Sequence, residues 1–401
     1  MNEEHGMDEI LRFRQLPLSR RRVLATTAMG LTGAAAGLLV GCGDDDEPDM
    51  EGPPEVTSLR ISKPTPACIA AQYIAEEYLY DEGFEQVEYV PIDNISDVPR
   101  FASSGRVDFA MNFAAPIAVS IDRGDDLAVL TGMHVGCFEL YATDDVAVVS
   151  DLVGRRVAVT GLGADAADYS FIAGIFQYLD IDVARDVTFV QGPAQASMDR
   201  LRNGEVDAFL AFPPFTQQLR AEGTGHVVLN SIEDDPWNQY FCCLVTGNKK
   251  FIANYPAATK RVVRAYIRAA EHCASRPEEV ADFLVEREYM ANRDHAGEMM
   301  RALPYDVWDR FDGDDTLRFY GLQLHEAGVI SSTPEEIIER GTDWRFLDSL
   351  REELAYSPGG ADRRGGERRL SFYCDPAAPA ESGRVVRAAS LPGALEPSRE
   401  G

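Results

Sequence analysis

Between residues 57 and 246, short apolar runs alternate with segments whose apolar positions recur at helical spacing, and the alternation occurs twice in one order. The runs 59–63 (LRISK), 87–91 (VEYVP) and 105–112 (GRVDFAMN) match 157–161 (VAVTG), 187–191 (VTFVQ) and 204–211 (GEVDAFLA) at offsets of 98 to 100 residues. Between the first two runs of each set lie helical patterns over 68–81 and 164–179, with Ile69, Tyr73 and Ile74 in one and Phe171, Ile172, Ile175 and Phe176 in the other. Gly83 stops the first of these. Segments 97–104 and 195–203 form the second helical pair, each ending before the glycine of a Gly-x-Val-Asp turn. Strands alternating with helices predict βαβ units, so each half is an open α/β lobe and two lobes enclose a cleft.

Past the strand at 240–246 the pattern from 248 to 351 is helical, with Pro256, Pro277, Pro304 and Pro334 at expected helix starts. These helices are expected to return and pack on the first lobe. The predicted organisation is a signal over 1–42, an acidic flexible linker over 43–56, lobe one over 57–143 and lobe two over 144–238. A return strand with C-terminal helices covers 239–355, and a disordered Gly, Arg, Pro and Ala-rich tail covers 356–401. Interlobe crossings are expected near 131–143 and 230–246.

The N-terminus changes the compartment. Ser19, Arg20, Arg21, Arg22, Val23 and Leu24 precede a weakly apolar stretch that closes on Leu39, Val40, Gly41 and Cys42. The first motif resembles a twin-arginine export signal and the second a lipobox, which predicts cleavage before Cys42 and acylation of its thiol. Residues 44–54 then form an acidic, proline-containing tether. The formal net charge is -28, and cleavage removes five Arg and four acids to leave -29. A polyanionic partner such as nucleic acid is repelled by that surface. Of seven cysteines, Cys42 is committed to lipid. The other six form no CxxC and no Cys/His spacing, so no metal centre is expected; a disulfide pairing cannot be read.

Ligands of open α/β sheets bind beyond the carboxyl ends of the strands. The loops there are 63–67, with Lys63 and Thr65 and then Cys68, and 161–164, with Gly161 and Gly163. Asn112 and Phe113 follow the third strand of lobe one; Phe212 and Phe215 follow that of lobe two. The crossings add His134, Trp237, Gln239 and Tyr240, with Trp237 either a stacking surface or a plug of the hinge. Each has a plainer alternative as core or ordinary loop. The glycines at 161 and 163 lack the spacing of a phosphate loop, and catalytic signatures such as GxSxG or HExxH are absent. Lys63 is the one cation in these loops, which disfavours a strongly anionic solute.

The lipoprotein signal, the loop 63–68, the repeated Gly-x-Val-Asp turn, the segment 152–161 (LVGRRVAVTG) and the helical C-terminal part together resemble the periplasmic substrate-binding proteins of ABC importers. The likeness covers residues 57–352 and points to the branch that includes aliphatic sulfonate, nitrate, taurine and thiamine-pyrimidine-precursor binders. It implies a two-lobed periplasmic-binding-protein fold of class α/β with two interlobe crossovers, closing on a solute like a hinge. It also implies a permease and an ATPase as partners, a monomeric chain, no cofactor and no enzymatic activity. A sensory ligand-binding lipoprotein is an alternative. So is an enzyme resembling yeast-type pyrimidine synthases, with Lys63 near the place of a pyridoxal-binding lysine, although the histidine and the Cys-rich motif of that family are missing.

Overall fold

The computed structural model describes residues 50–64 and 67–356. The export signal, Cys42, Thr65 and the tail expected over 356–401 lie outside the described residues, apart from Tyr356. Within them are two five-stranded sheets. The first contains β1 (Ser58–Pro64), β2 (Gln86–Ile92), β3 (Phe109–Phe113), β4 (Leu127–Val135) and β10 (Phe241–Asn248), in the order β2-β1-β3-β10-β4. The second contains β5 (Glu139–Ala142), β6 (Arg156–Val159), β7 (Thr188–Gln191), β8 (Ala208–Ala211) and β9 (His226–Asn230), in the order β7-β6-β8-β5-β9. The first three strands of each order run parallel, and the fourth runs antiparallel to both neighbours.

The helices of the duplication are α1 (Ala70–Asp81), α2 (Val98–Ser103) and α3 (Ala114–Asp122) in the first half. In the second they are α4 (Ala167–Tyr178), α5 (Ala194–Arg202) and α6 (Phe215–Glu222). One polar device explains the repeated Gly-x-Val-Asp turn. Asp108 accepts the backbone N–H of Arg60 at 2.8 Å while its own N–H donates to the Arg60 carbonyl at 2.7 Å. Asp207 makes the same two bonds with Arg156, at 2.8 and 2.7 Å. Gly105 and Gly204 precede them at φ +70° and +68°, a conformation that costs a side chain little only when there is none. The device equates Arg60 with Arg156, so the first-strand alignment of 59–63 with 157–161 is displaced by two residues; both runs are short and apolar, and hydrophobicity alone did not hold their register.

Each sheet takes its fourth strand from beyond a crossover. The first crossover is residues 136–138, and β5 then joins the second sheet, so residues 139–142 belong to lobe two and not to lobe one as expected. The second is residues 231–240, after which β10 inserts between β3 and β4 of the first sheet. Ser231 clamps the two crossovers together: its hydroxyl accepts from the N–H groups of Cys137 and Phe138, both at 3.0 Å, and donates to the Phe138 carbonyl at 2.7 Å.

The C-terminal part contains α7 (Lys249–Asn254), α8 (Pro256–Ser275), α9 (Pro277–Glu286), α10 (Arg293–Ala302), α11 (Gly313–Glu326), α12 (Pro334–Gly341) and α13 (Arg345–Tyr356). Pro256, Pro277 and Pro334 open helices, whereas Pro304 lies in the irregular segment after α10. These helices do not pack on the first lobe alone. Helix α8 covers α1, but α11 lies on both α3 and α4, with Tyr320 edge-on to Phe171 at 5.3 Å, and Glu298 of α10 pairs with Arg220 of α6. The apolar stripe of α11 is wide enough to serve both lobes.

The end of the expected flexible linker is also ordered. The Glu55 carboxylate accepts from the N–H groups of Ala257 and Ala258 at 2.9 and 2.7 Å, satisfying two donors at the start of α8. Glu51 pairs with the fully buried ammonium of Lys260 on the same helix. Among the described residues no helix is long and apolar enough to cross a membrane.

Candidate functional site

The carboxyl ends of β3, β6 and β8 face a cavity of about 220 Å³ between the two sheets. Lobe two supplies Thr160, Ala167, Asp168, Ala194, Phe209, Leu210, Phe212, Pro213, Pro214 and Phe215; lobe one supplies Ile95 and Phe113; and the turn between α9 and α10 supplies Tyr289, Met290 and Ala291. The two lobes meet here through rings. Phe113 and Phe212 stack at 4.6 Å with an interplanar angle of 25°, and Phe171 and Phe138 back them. Arg123 of lobe one also pairs with Asp165 of lobe two.

Asp168 is the charged residue in this apolar lining. Its Oδ2 accepts the Thr160 N–H at 2.5 Å, and its Oδ1 accepts the Thr160 hydroxyl at 2.9 Å and the Tyr169 N–H at 3.0 Å. Burial drives its pKa above the ordinary carboxylate range, and those donated bonds offset only part of the shift. Behind the cavity, Tyr289 stacks on Tyr73 at 3.8 Å, and the Lys63 ammonium lies 5.0 Å from the Tyr289 ring centroid. The chamber can therefore hold a small solute by aromatic and apolar contact, with a carboxyl group and a threonine hydroxyl for orientation.

Of the expected site residues, Phe113, Phe212 and Phe215 line the cavity and Lys63 stands behind it on Tyr289. Asn112, one residue along β3, is buried; its Oδ1 accepts the Phe113 N–H at 2.7 Å and its amide nitrogen has no hydrogen-bond partner among the described residues. Gly161 and Gly163 shape the turn before α4 without lining the cavity: a Cβ on Gly161 would come 2.8 Å from the Ala166 Cβ. Thr160 and Asp168, on either side of them, do line it. Trp237 is 1% exposed and packs edge-on to Tyr178 at 5.4 Å, so it plugs the crossover and offers no face to a solute. Gln239 donates to Asp235 at 3.1 Å, and Tyr240 stacks on Phe319 of α11 at 4.1 Å; neither lines the cavity. Tyr289, Met290 and Ala291 carried no sequence signal, because they reach the cleft only through the packing of the C-terminal helices.

Cys68 and His134 sit at the hinge. The Cys68 carbonyl accepts from the Tyr305 hydroxyl at 2.6 Å and lies 3.0 Å from His134 Nε2, while His134 Nδ1 is 2.9 Å from the Gly136 carbonyl. Around them are Cys137 on the first crossover and Cys242 and Cys243 on β10, all buried. The expectation of dispersed cysteines without a ligand cluster is thus corrected: residues far apart in sequence converge, and spacing carried no trace of it.

Two mixed sheets of matching strand order, joined by paired crossovers beside an enclosed cleft, define the two-lobed periplasmic-binding-protein fold. The chain belongs to the NMT1-like family, whose sequence profile matches residues 52–285. In structure it is similar to the periplasmic nitrate-binding protein NrtA from Synechocystis PCC 6803, with a TM-score of 0.64 and 14% identity over 77% of this chain and 92% of that one. It is also similar to the periplasmic aliphatic sulphonate binding protein SsuA from Escherichia coli, with a TM-score of 0.59 and 13% identity over 72% and 92% of the two chains. In sequence, the nitrate import ATP-binding protein NrtC of Synechocystis sp. (strain ATCC 27184 / PCC 6803 / Kazusa) is 24% identical over 112 residues, 27% of this chain. The matched stretch spans 16% of that relative's length.

Proposed function

We propose that the protein is the solute-binding component of an ABC importer, exported, lipid-anchored through Cys42, and monomeric. It captures a small organic solute in the interlobe cleft and presents the closed lobes to a permease and its ATPase. Binding at the junction of two lobes favours the closed arrangement in proportion to the differential affinity of the solute for it. The tether between lipid and fold raises the effective concentration of the loaded protein at the membrane. It is a binding role without catalysis.

The observation that carries the solute class is the lining. Nitrate and sulphonate, named for the similar proteins, are anions, whereas this cavity presents aromatic rings and the Asp168 carboxyl group and, among the described residues, no Arg or Lys. A buried carboxyl group beside an anion costs electrostatic energy that no lining cation offsets. A flat, uncharged or heteroaromatic solute suits the cavity. A thermal-shift screen of the lipid-free chain against pyrimidines, flavins, aromatic amines, sulfonates, nitrate and bicarbonate tests this. A solute at 100 times its dissociation constant adds about 2.7 kcal/mol. Stabilisation by nitrate or sulfonates alone would overturn the assignment of solute class.

A further inference from the structure

We propose that Cys68, Cys137 and Cys243 form a three-thiolate site for one thiophilic d10 cation, zinc(II) or copper(I), built into the interlobe hinge. The three Sγ atoms lie within 4.8 Å of one another, and all three residues are buried. A cation bound to thiolate sulfur sits about 2.3 Å from each ligand, so ligand sulfurs of one ion lie no more than about 4.6 Å apart, a separation these three reach with at most a small shift. Sulfur-only donor sets select zinc(II) and copper(I) over hard cations.

Each sulfur is carried by a different element, and each element is held independently. Cys68 belongs to the short turn Ala67–Ile69, whose carbonyl at residue 68 is gripped by Tyr305 and His134. Cys137 follows Gly136, at φ +60°, where an added Cβ would fall 2.4 Å from the Ile232 side chain, and its N–H is bound by Ser231. Cys243 lies in the middle of the first sheet, opposite Phe113 and His134. The convergence is therefore prearranged by backbone contacts and does not depend on flexible side chains. His134 stands beside the group without being a ligand, since both ring nitrogens face backbone carbonyls.

On loading, three S–H bonds break, three metal–sulfur bonds form and the protons leave to solvent, with no change in oxidation state. Such an ion ties β10 and the first loop of lobe one to the first crossover and so fixes the pivot on which the lobes turn. Cys242 Sγ lies 2.8 Å from Cys137 Sγ, so a Cys137–Cys242 disulfide is the competing chemistry.

The test uses the full chain, unfolded under reductant and refolded with zinc(II), with copper(I) or without metal. Metal is measured by mass spectrometry of the elements after chelator washing, and thiols by alkylation mass. We expect about one equivalent of zinc or copper per chain. That equivalent is expected to be lost in Cys137→Ser and Cys243→Ser and kept in Cys242→Ser and Cys273→Ser. Refolding of the unsubstituted chain with cobalt(II) gives sulfur-to-cobalt charge-transfer absorbance, a readout independent of whether the serine variants fold. The proposal is overturned if the folded chain keeps no metal with its thiols all alkylatable. It also fails if a 137–242 disulfide forms in place of metal binding, or if both serine variants retain the ion.

Discussion

Phe113 and Phe212 stack across the cleft at 4.6 Å, one ring from each sheet, so the same two side chains that hold the lobes together face the solute cavity. Offset stacking contributes about 0.5–1.5 kcal/mol beyond burial. Phe212→Ala is expected to weaken binding of any solute found by screening about tenfold, equivalent to about 1.4 kcal/mol, by isothermal titration. Trp237→Ala should leave that affinity unchanged and cost about 3–5 kcal/mol in unfolding free energy, because the indole is core and not surface. An affinity loss in Trp237→Ala with stability intact would reverse this assignment.

Asp168 makes stability depend on pH. Its folded pKa is raised, so its favourable contribution is fully present below the unfolded carboxylate value of about 3.9 and is lost as pH rises through the folded value. Asp168→Asn does not titrate, and its amide turns an NH2 toward a donor, a mismatch of about 1–3 kcal/mol. The wild-type protein should therefore exceed the variant in melting temperature most at about pH 4, with the gap narrowing toward pH 7. A gap constant across that range would show that burial does not perturb this carboxyl group.

Two glycines separate backbone strain from crowding. Gly204 sits at φ +68° with nothing within 4 Å of an added Cβ, so Gly204→Ala should cost about 1–2 kcal/mol, the left-handed penalty alone. Gly136 has a similar φ of +60°, but its added Cβ would lie 2.4 Å from the Ile232 side chain and 2.9 Å from its backbone. Gly136→Ala should therefore cost clearly more in denaturant unfolding, and equal costs would mean that the crossover yields freely.

Glu55 should prove to be a helix cap and not a piece of tether. Glu55→Ala is expected to destabilise the fold by about 1 kcal/mol and to speed amide exchange at Ala257 and Ala258 selectively. Unchanged exchange at those two amides would return residue 55 to the linker.

Much of the architecture was legible in the linear pattern. The duplication is read from local quantities, apolar runs at strand length, helical spacing and a turn glycine, and each is decided by neighbours in the chain. Phe113, Phe212 and Phe215 were found as cleft residues by the same logic, since βα loops place them at strand ends. For Trp237 the pattern left a stacking surface and a hinge plug equally open, because burial depends on what packs over a loop, and Tyr178 and the C-terminal helices come from elsewhere in the chain.

The sequence by itself determined two α/β halves, their strand and helix order, the positions of the crossings and the loops that meet at the cleft, because periodicity and turn chemistry act over a few residues. Tertiary structure alone decided that β5 joins the second sheet, that the returning β10 inserts between β3 and β4, that α11 spans both lobes, that Tyr289 and Asp168 join the cavity, and that four cysteines converge on the hinge. Those outcomes rest on contacts between residues tens to hundreds of positions apart, whose closure is set by packing and leaves no period in the chain.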